Sequence, residues 1–389
     1  MDGIYDRLAA RLDEFPHGFP RTASRVELRI LEKIFAPDDA ALAVELRLLP
    51  ETAAAAAQRL GRPVEDLRLR LDGMVGRGQI VSFRVHGDQV YGLAPFVIGI
   101  YEFQLPRMDA ELATLVEEYA PHLFRTVGGV RPALARVIPV NAHLDARAVI
   151  LPHEDVRGML AGARSFRLME CICRTERAKL GTPCTHPLET CLAFSSEESA
   201  YEGTLATGFG RTVTREEALA VLDLAGREGL VHCTYNVRRE SMFVCNCCAC
   251  CCGFLRGVTE FRAPHLLVRS NWLSAVEGAR CTACGVCVGG RCPTGALAER
   301  DGHYTVSEER CIGCGVCAAG CPAGAITLRP RPPREQTTPP KTIAAWALSR
   351  AVRRRGVLRA AIQFGGLALG TMRQRFGPRK KAGDGHGQA

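Results

Sequence analysis

The sequence predicts an α+β protein of three folded units followed by a linker and a tail. Three observations predict it. The first hundred residues contain no cysteine and read as helices ending in a β-hairpin. The next stretch alternates short strands and helices and carries a first set of cysteines, and residues 278–328 repeat one cysteine-rich motif twice. The units are then 1–125, 126–277 and 278–328, with a proline-rich linker and basic tail over 329–389. A chain of 389 residues has room for two or three such domains. Its N-terminus, "MDGIYDRLAARLDEF", has no apolar stretch of signal-peptide length. The 19 cysteines therefore point to a reducing, cytoplasmic setting in which clustered thiols hold metal rather than disulfides.

In the first unit, "RVELRILEKIF" (25–35) has a helical apolar repeat. "PETAAAAAQRLGRPVEDLRLRLDGMVGRGQI" reads as helix, turn, helix, with Gly61 at the break and Pro63 at the second start. "IVSFRV", "HGDQ" and "VYGLAPF" follow as strand, turn and strand. Three helices and a hairpin make a winged-helix-like pattern. Its second helix offers Arg62, Arg68, Arg70 and Arg77, but Glu65, Asp66 and Asp72 lie among them. Phosphate binding needs an uncancelled basic face, so protein interaction is favoured over nucleic acid.

Residues 100–135 read as helical and polar. "ARVIPV", "AVILP", "HEDVRGMLAGA" and "SFRLMECICR" then suggest a small α/β unit that delivers the first cysteines. Cys171, Cys173, Cys184 and Cys191 form C-x-C-x10-C-x6-C, with Pro183 and Pro187 turning the chain back. Four such thiols suit one cube or one tetrahedral zinc, or remain unligated. Arg174, Arg177 and Lys179 would favour thiolates there, and His186 reads as solvent-facing. "TREEALAVLDLAGREGLVH" is a helix opened by a capping box of Thr214 and Glu217.

The helix leads to Cys233 and to "CNCCACCC", which holds Cys245, Cys247, Cys248, Cys250, Cys251 and Cys252. In a strand, Cys248, Cys250 and Cys252 would share one face and Cys245, Cys247 and Cys251 the other. No more than three or four reach one centre, so the run completes one metal site, straddles two, or adds a redox-active thiol pair. Dense thiols without metal would be an oxidation hazard.

"CTACGVCVGGRCPTGAL" (281–297) and "CIGCGVCAAGCPAGAI" (311–326) each run C-x-x-C-x-x-C, a short gap, then Cys-Pro. Three cysteines at three-residue intervals wrap three irons of a cube, and the proline sends the fourth elsewhere. Residues 278–328 thus resemble a bacterial two-[4Fe–4S] ferredoxin domain. The resemblance implies one cluster on Cys281, Cys284, Cys287 and Cys321 and another on Cys311, Cys314, Cys317 and Cys292. The first run departs from that pattern, with four residues before Cys292 where the pattern has three. The layout of residues 1–328 also resembles a group of uncharacterised bacterial 4Fe–4S binding proteins. These join a winged-helix-like region, a CxCR segment, a CNCCxCCC segment and a two-cluster ferredoxin domain.

The net charge of +9 sits in the tail: residues 329–389 hold 14 Lys/Arg against two Asp/Glu, which leaves residues 1–328 at −3. Within 344–376 the apolar stretch is about a dozen residues, short of the ~20 that span a membrane. The segment suits the inner face of an anionic membrane, an acidic partner or solvent. The function expected is relay of single electrons to or from a redox partner protein, through two [4Fe–4S] clusters and a further Fe–S or zinc centre. The rivals are an oxidoreductase with a catalytic metal site in the middle unit and a cluster-sensing regulator. No Walker loop or dinucleotide fingerprint is present.

Overall fold

The computed structural model describes residues 3–85, 87–140, 151–202, 207–263 and 265–360, and combines helices with mainly antiparallel sheet in the expected α+β class. The N-terminal region holds helices Ile4–Asp13, Val26–Ile34, Pro37–Glu45, Ala53–Leu60 and Val64–Gly76. Thr52 accepts from Ala55 N to start the fourth, and Gly61, left-handed at φ 65°, ends it. Ile4–Asp13 and Pro37–Glu45 go beyond the three helices expected, and neither has a side-chain cap to announce it. Val81–Val85 and Asp88–Gly92 form the hairpin, with Glu51–Thr52 added along Asp88–Gly92.

The arginines of the helix–turn–helix stretch are engaged within this region. Arg62 pairs with Glu45 (2.8 Å), Arg68 with Glu65 (2.7 Å), and Arg77 and Arg70 with Asp39 (2.9 and 3.8 Å).

The helix Ala110–Gly128 corrects the polar reading of residues 100–135. It buries Leu112, Leu115, Val116, Tyr119, Leu123 and Phe124, a stripe hidden among charged neighbours because it recurs every three or four positions. The helix also runs through the boundary expected at 125/126. The N-terminal and middle regions share one continuous core there, from Leu8 to Trp346.

The middle region is built on a seven-stranded sheet. Its spatial order is Leu267–Val268, Ala135–Ile138, Val231–Tyr235, Phe243–Cys247, Glu189–Ser195, Ser165–Glu170 and Arg211–Val213. The first pair is parallel and the remaining neighbours are antiparallel. Helix Arg215–Arg227, opened by the Thr214–Glu217 capping box, packs with Val156–Ala161 over a second apolar cluster. The "AVILP" strand falls largely outside the described residues. Beyond the sheet, Trp272–Val276 and Ile326–Pro330 pair and bracket the cysteine repeats, with the hairpin Leu297–Arg300/His303–Val306 between them.

Part of the expected tail is structural. Helix Ile343–Arg355 docks on the N-terminal region, where Trp346 is 1% exposed and its Nε1 donates to Ala133 O at 2.8 Å. Arg354 and Arg355 pair with Asp13 at 2.7 and 3.2 Å. Arginines in a row signal solvent to a local reading. These instead reach groups far away in the chain, which local pattern does not encode. The rest of segment 344–376, from 361 on, lies outside the described residues. No helix among the described residues is long and apolar enough to cross a membrane.

Candidate functional site

The two cysteine repeats fold alike. Ala283 and Gly313 (φ 52° and 68°), Gly285 and Gly315 (78° and 75°), and Gly295 and Gly324 (58° and 56°) occupy matching left-handed positions. These turns fold each loop back on its own thiols. Matching amides then donate to the last cysteine of each run, Ala296 N to Cys292 Sγ at 3.1 Å and Ala325 N to Cys321 Sγ at 3.3 Å. Burial pushes the Cys287 thiol up, and the neighbouring Cys281, Cys284 and Cys321 add to this, so these four stand together. Burial raises Cys317 to about 11, with Cys311 and Cys292 contributing. A small cavity lies among Cys292, Cys311, Cys314 and Cys317, beside Ser274 and Val316.

The two sets of four that the ferredoxin resemblance would assign differ in depth. Cys284 is exposed, whereas Cys311, Cys314 and Cys317 are buried. Thiols facing a common cavity, with amides and the Ser274 hydroxyl (3.3 Å from Cys317 Sγ) aimed at sulfur, fit an anionic iron–sulfur group.

The extra residue before Cys292 has a structural use. Arg291 leaves the loop and donates to Gly226 O (3.4 Å) and Arg227 O at the end of helix Arg215–Arg227, and to Val316 O (2.9 Å). A cation on the last carbonyls of a helix is favourable, so the insertion ties the repeat unit to the middle region.

Of the matched left-handed positions, one differs in residue type, Ala283 against Gly313. A Cβ on Gly313 would lie 2.2 Å from Trp272 O, in backbone that is already left-handed. Gly313→Ala is expected to destabilise the repeat unit by about 2–4 kcal/mol, combining the left-handed penalty with the clash. Ala283→Gly faces neither cost. Iron retained after anaerobic gel filtration checks the contrast, and equal retention by both variants would refute it.

The middle-region cysteines sort into two groups. Cys233 lies directly opposite Cys245 on adjacent strands, and Cys191 Sγ is 3.9 Å from Cys245 Sγ on the next strand. Opposed residues share a face, as do residues two apart, so Cys247 joins this row. Cys171, at the start of helix Ile172–Lys179, lies beside Cys173, and Cys173 beside Cys252, at the start of helix Gly253–Thr259. Cys252 in turn reaches Cys247, which also contacts Cys233. Seven thiols thus form one nest: Cys171, Cys173, Cys191, Cys233, Cys245, Cys247 and Cys252. Hydrogen bonding to Cys173 and then burial push Cys171 well above the ordinary cysteine range, and Cys245 and burial do the same to Cys191. Gly253 lets the helix after Cys252 come close, because a Cβ there would lie 2.5 Å from the Phe124 ring.

The other group is Cys184, Cys248, Cys250 and Cys251, whose sulfurs all lie within 4.8 Å of one another. Cys184 therefore parts from Cys171, Cys173 and Cys191, with which its spacing had grouped it. The division of "CNCCACCC" also differs from strand periodicity, with Cys252 on the side of Cys245 and Cys247, and Cys251 with Cys248 and Cys250. The strand stops at Cys247, and the chain then turns, with Cys252 N donating to Cys248 O at 3.2 Å, so alternation ends three residues into the run.

Arg174 stands between the two groups. It is 2% exposed and donates to Pro187 O (2.7 Å), Thr190 Oγ1 (2.6 Å) and Asn246 O (2.8 Å), while its Nε has no hydrogen-bond partner among the described residues. Burial opposes its charge, and Cys171 and Cys248 favour it strongly enough to raise its pKa overall. A buried cation with a spare donor suits thiolate centres on both sides. Behind the nest, burial raises Glu176 to about 7, and the Tyr101 hydroxyl donates to its carboxyl.

Cys233 was without a role in the sequence. Its signal is strand register, which places it opposite Cys245. Its thiol hydrogen-bonds with Cys247, which lowers its pKa, but burial and the nearby Cys252, Cys245 and Cys314 push it up overall. Cys314, of the inner repeat group, packs in the same apolar core as Cys233.

A family described as a 4Fe-4S binding domain matches residues 304–327, which contain Cys311, Cys314, Cys317 and Cys321. The C-terminal repeat region thus binds a 4Fe–4S cluster and gives the chain iron–sulfur electron-transfer capability. Comparison with the curated proteins and with the solved structures returned no match.

Proposed function

We propose that the chain relays single electrons for a partner redox protein, through two [4Fe–4S] clusters in residues 278–328 and a third iron–sulfur centre in the buried seven-thiol nest. The observation that carries this reading is the placement of the thiols: Cys284 is exposed, Cys314 is buried, and Cys314 packs in the same core as the nest thiols Cys233, Cys247 and Cys252. Bound clusters would supply low-potential one-electron storage. The chain's own residues set entry, insulation and tuning. Val286 and Val288, 40% and 37% exposed, give the outer group an apolar rim on which a partner can dock. The inner group is enclosed by Trp272–Val276 and Val316, and the Ser274 hydroxyl lies 3.3 Å from Cys317 Sγ. We read the N-terminal helices and hairpin as a winged-helix-like protein-interaction module, since its arginines are engaged by Glu45, Glu65 and Asp39. That same pairing counts against the DNA-binding regulator.

A potentiometric titration of anaerobically purified protein, followed by EPR, tests the reading. Two one-electron centres with about eight irons and equal sulfide are expected from residues 278–328 alone, with further iron from the nest. Total iron well below eight per chain would sink it. Ser274→Ala should move one potential only, to a more negative value, because a hydrogen bond to cluster sulfur stabilises the reduced form. An unchanged titration would remove Ser274 from the inner centre.

A further inference from the structure

We infer that Cys184, Cys248, Cys250 and Cys251 bind a single tetrahedral zinc ion, separate from the iron–sulfur centres. The inference is independent of the electron-transfer reading. The geometry distinguishes one ion from a cube. Cys184 Sγ lies 3.8 Å from Cys248 Sγ and 3.5 Å from Cys250 Sγ, and Cys250 Sγ lies 3.5 Å from Cys251 Sγ. A tetrahedral ion with metal–sulfur bonds of ~2.3 Å sets its sulfurs about 3.8 Å apart. A cube needs a wider spread, because each thiolate binds a different iron. A disulfide would need sulfurs at ~2.05 Å. Four thiolates around one centre suit zinc among the common divalent ions.

The setting fits a structural ion. Four protein ligands leave no open position for substrate. Cys184 comes from the irregular stretch after helix Ile172–Lys179, and the other three from the turn that ends strand Phe243–Cys247. Ala225 and Leu230 pack under Cys248 and Cys251, and Cys250 faces solvent. Arg174 ties the same two segments through Pro187 O and Asn246 O and places its cation beside Cys248. The ion would clamp the loop of Cys184 over the nest, which "CNCCACCC" serves with its other three thiols.

The test is metal content of the full chain, purified anaerobically, as parent and as Cys184→Ser and Cys250→Ser. One zinc per chain is expected in the parent, with at least a fivefold loss of zinc in either variant and unchanged iron. Zinc X-ray absorption on the parent, which needs no variant to fold, should show four sulfur ligands and no nitrogen or oxygen. A loss of about four irons in the variants would overturn the inference by assigning these thiols to a cluster. A zinc-free parent whose four thiols all alkylate under native conditions would also overturn it. Neither of those results would alter the count of the ferredoxin-type clusters, so this inference and the relay fail separately.

Discussion

Arg350→Leu is expected to destabilise the chain by about 4 kcal/mol. The Arg350 side chain is fully buried and donates to four backbone carbonyls, Pro16 (3.0 Å), Val127 (2.9 Å), Val130 (2.7 Å) and Pro132 (2.6 Å). Burial lowers its pKa to about 10, so it stays charged at neutral pH. Leucine fills the space but leaves buried acceptors unsatisfied, at about 1–3 kcal/mol each before relaxation. Val127 closes the last turn of helix Ala110–Gly128, so the cation also complements that helix dipole. Arg353→Leu, on the exposed side of the same helix, should change stability by less than about 0.5 kcal/mol. Anaerobic denaturant titrations of both variants decide the matter. Equal midpoints would mean that the C-terminal helix is not docked as described.

Cys314→Ser should have the largest functional effect. Serine is a poor iron ligand, so about four irons per chain should be lost from the inner group. The deeper consequence is a break in the proposed route, because Cys314 is the inner-group thiol that packs in the same core as Cys233. Rapid reduction of the variant should fill the outer group and leave the nest centre oxidised. Cys284→Ser should do the reverse to the iron, emptying the outer group and sparing the inner one. Reduction of the nest in Cys314→Ser at the parental rate would refute the proposed path.

The repeats were legible because the chemistry of a cube is written locally. Three thiols at fixed intervals, a proline, and left-handed positions at Gly285 and Gly315 lie within a few residues of one another. The hairpin and the Thr214 cap are local in the same sense. What sequence missed depends on partners distant in the chain. Cys184 joins Cys248 and Cys250 rather than its neighbours Cys171 and Cys191, because strand pairing holds Cys191 against Cys245. Cys251 and Cys252 exchanged sides because the strand ends at Cys247. Arg350 looked like tail charge, since nothing near it in sequence reveals the carbonyls it reaches.

Both ends of the described chain enter one core: His17 and Tyr235 pack tilted against Trp346, at 4.9 and 5.8 Å between ring centres. All 19 cysteines fall between residues 171 and 321, ahead of that tryptophan in order of synthesis. On the ribosome, every thiol has therefore emerged before helix Ile343–Arg355 can close over Tyr235, which ends the strand carrying Cys233. Metal delivery has a natural window there. On the proposed reading, the nest is filled while the core around it is still unfinished, and docking of helix Ile343–Arg355 then closes that core.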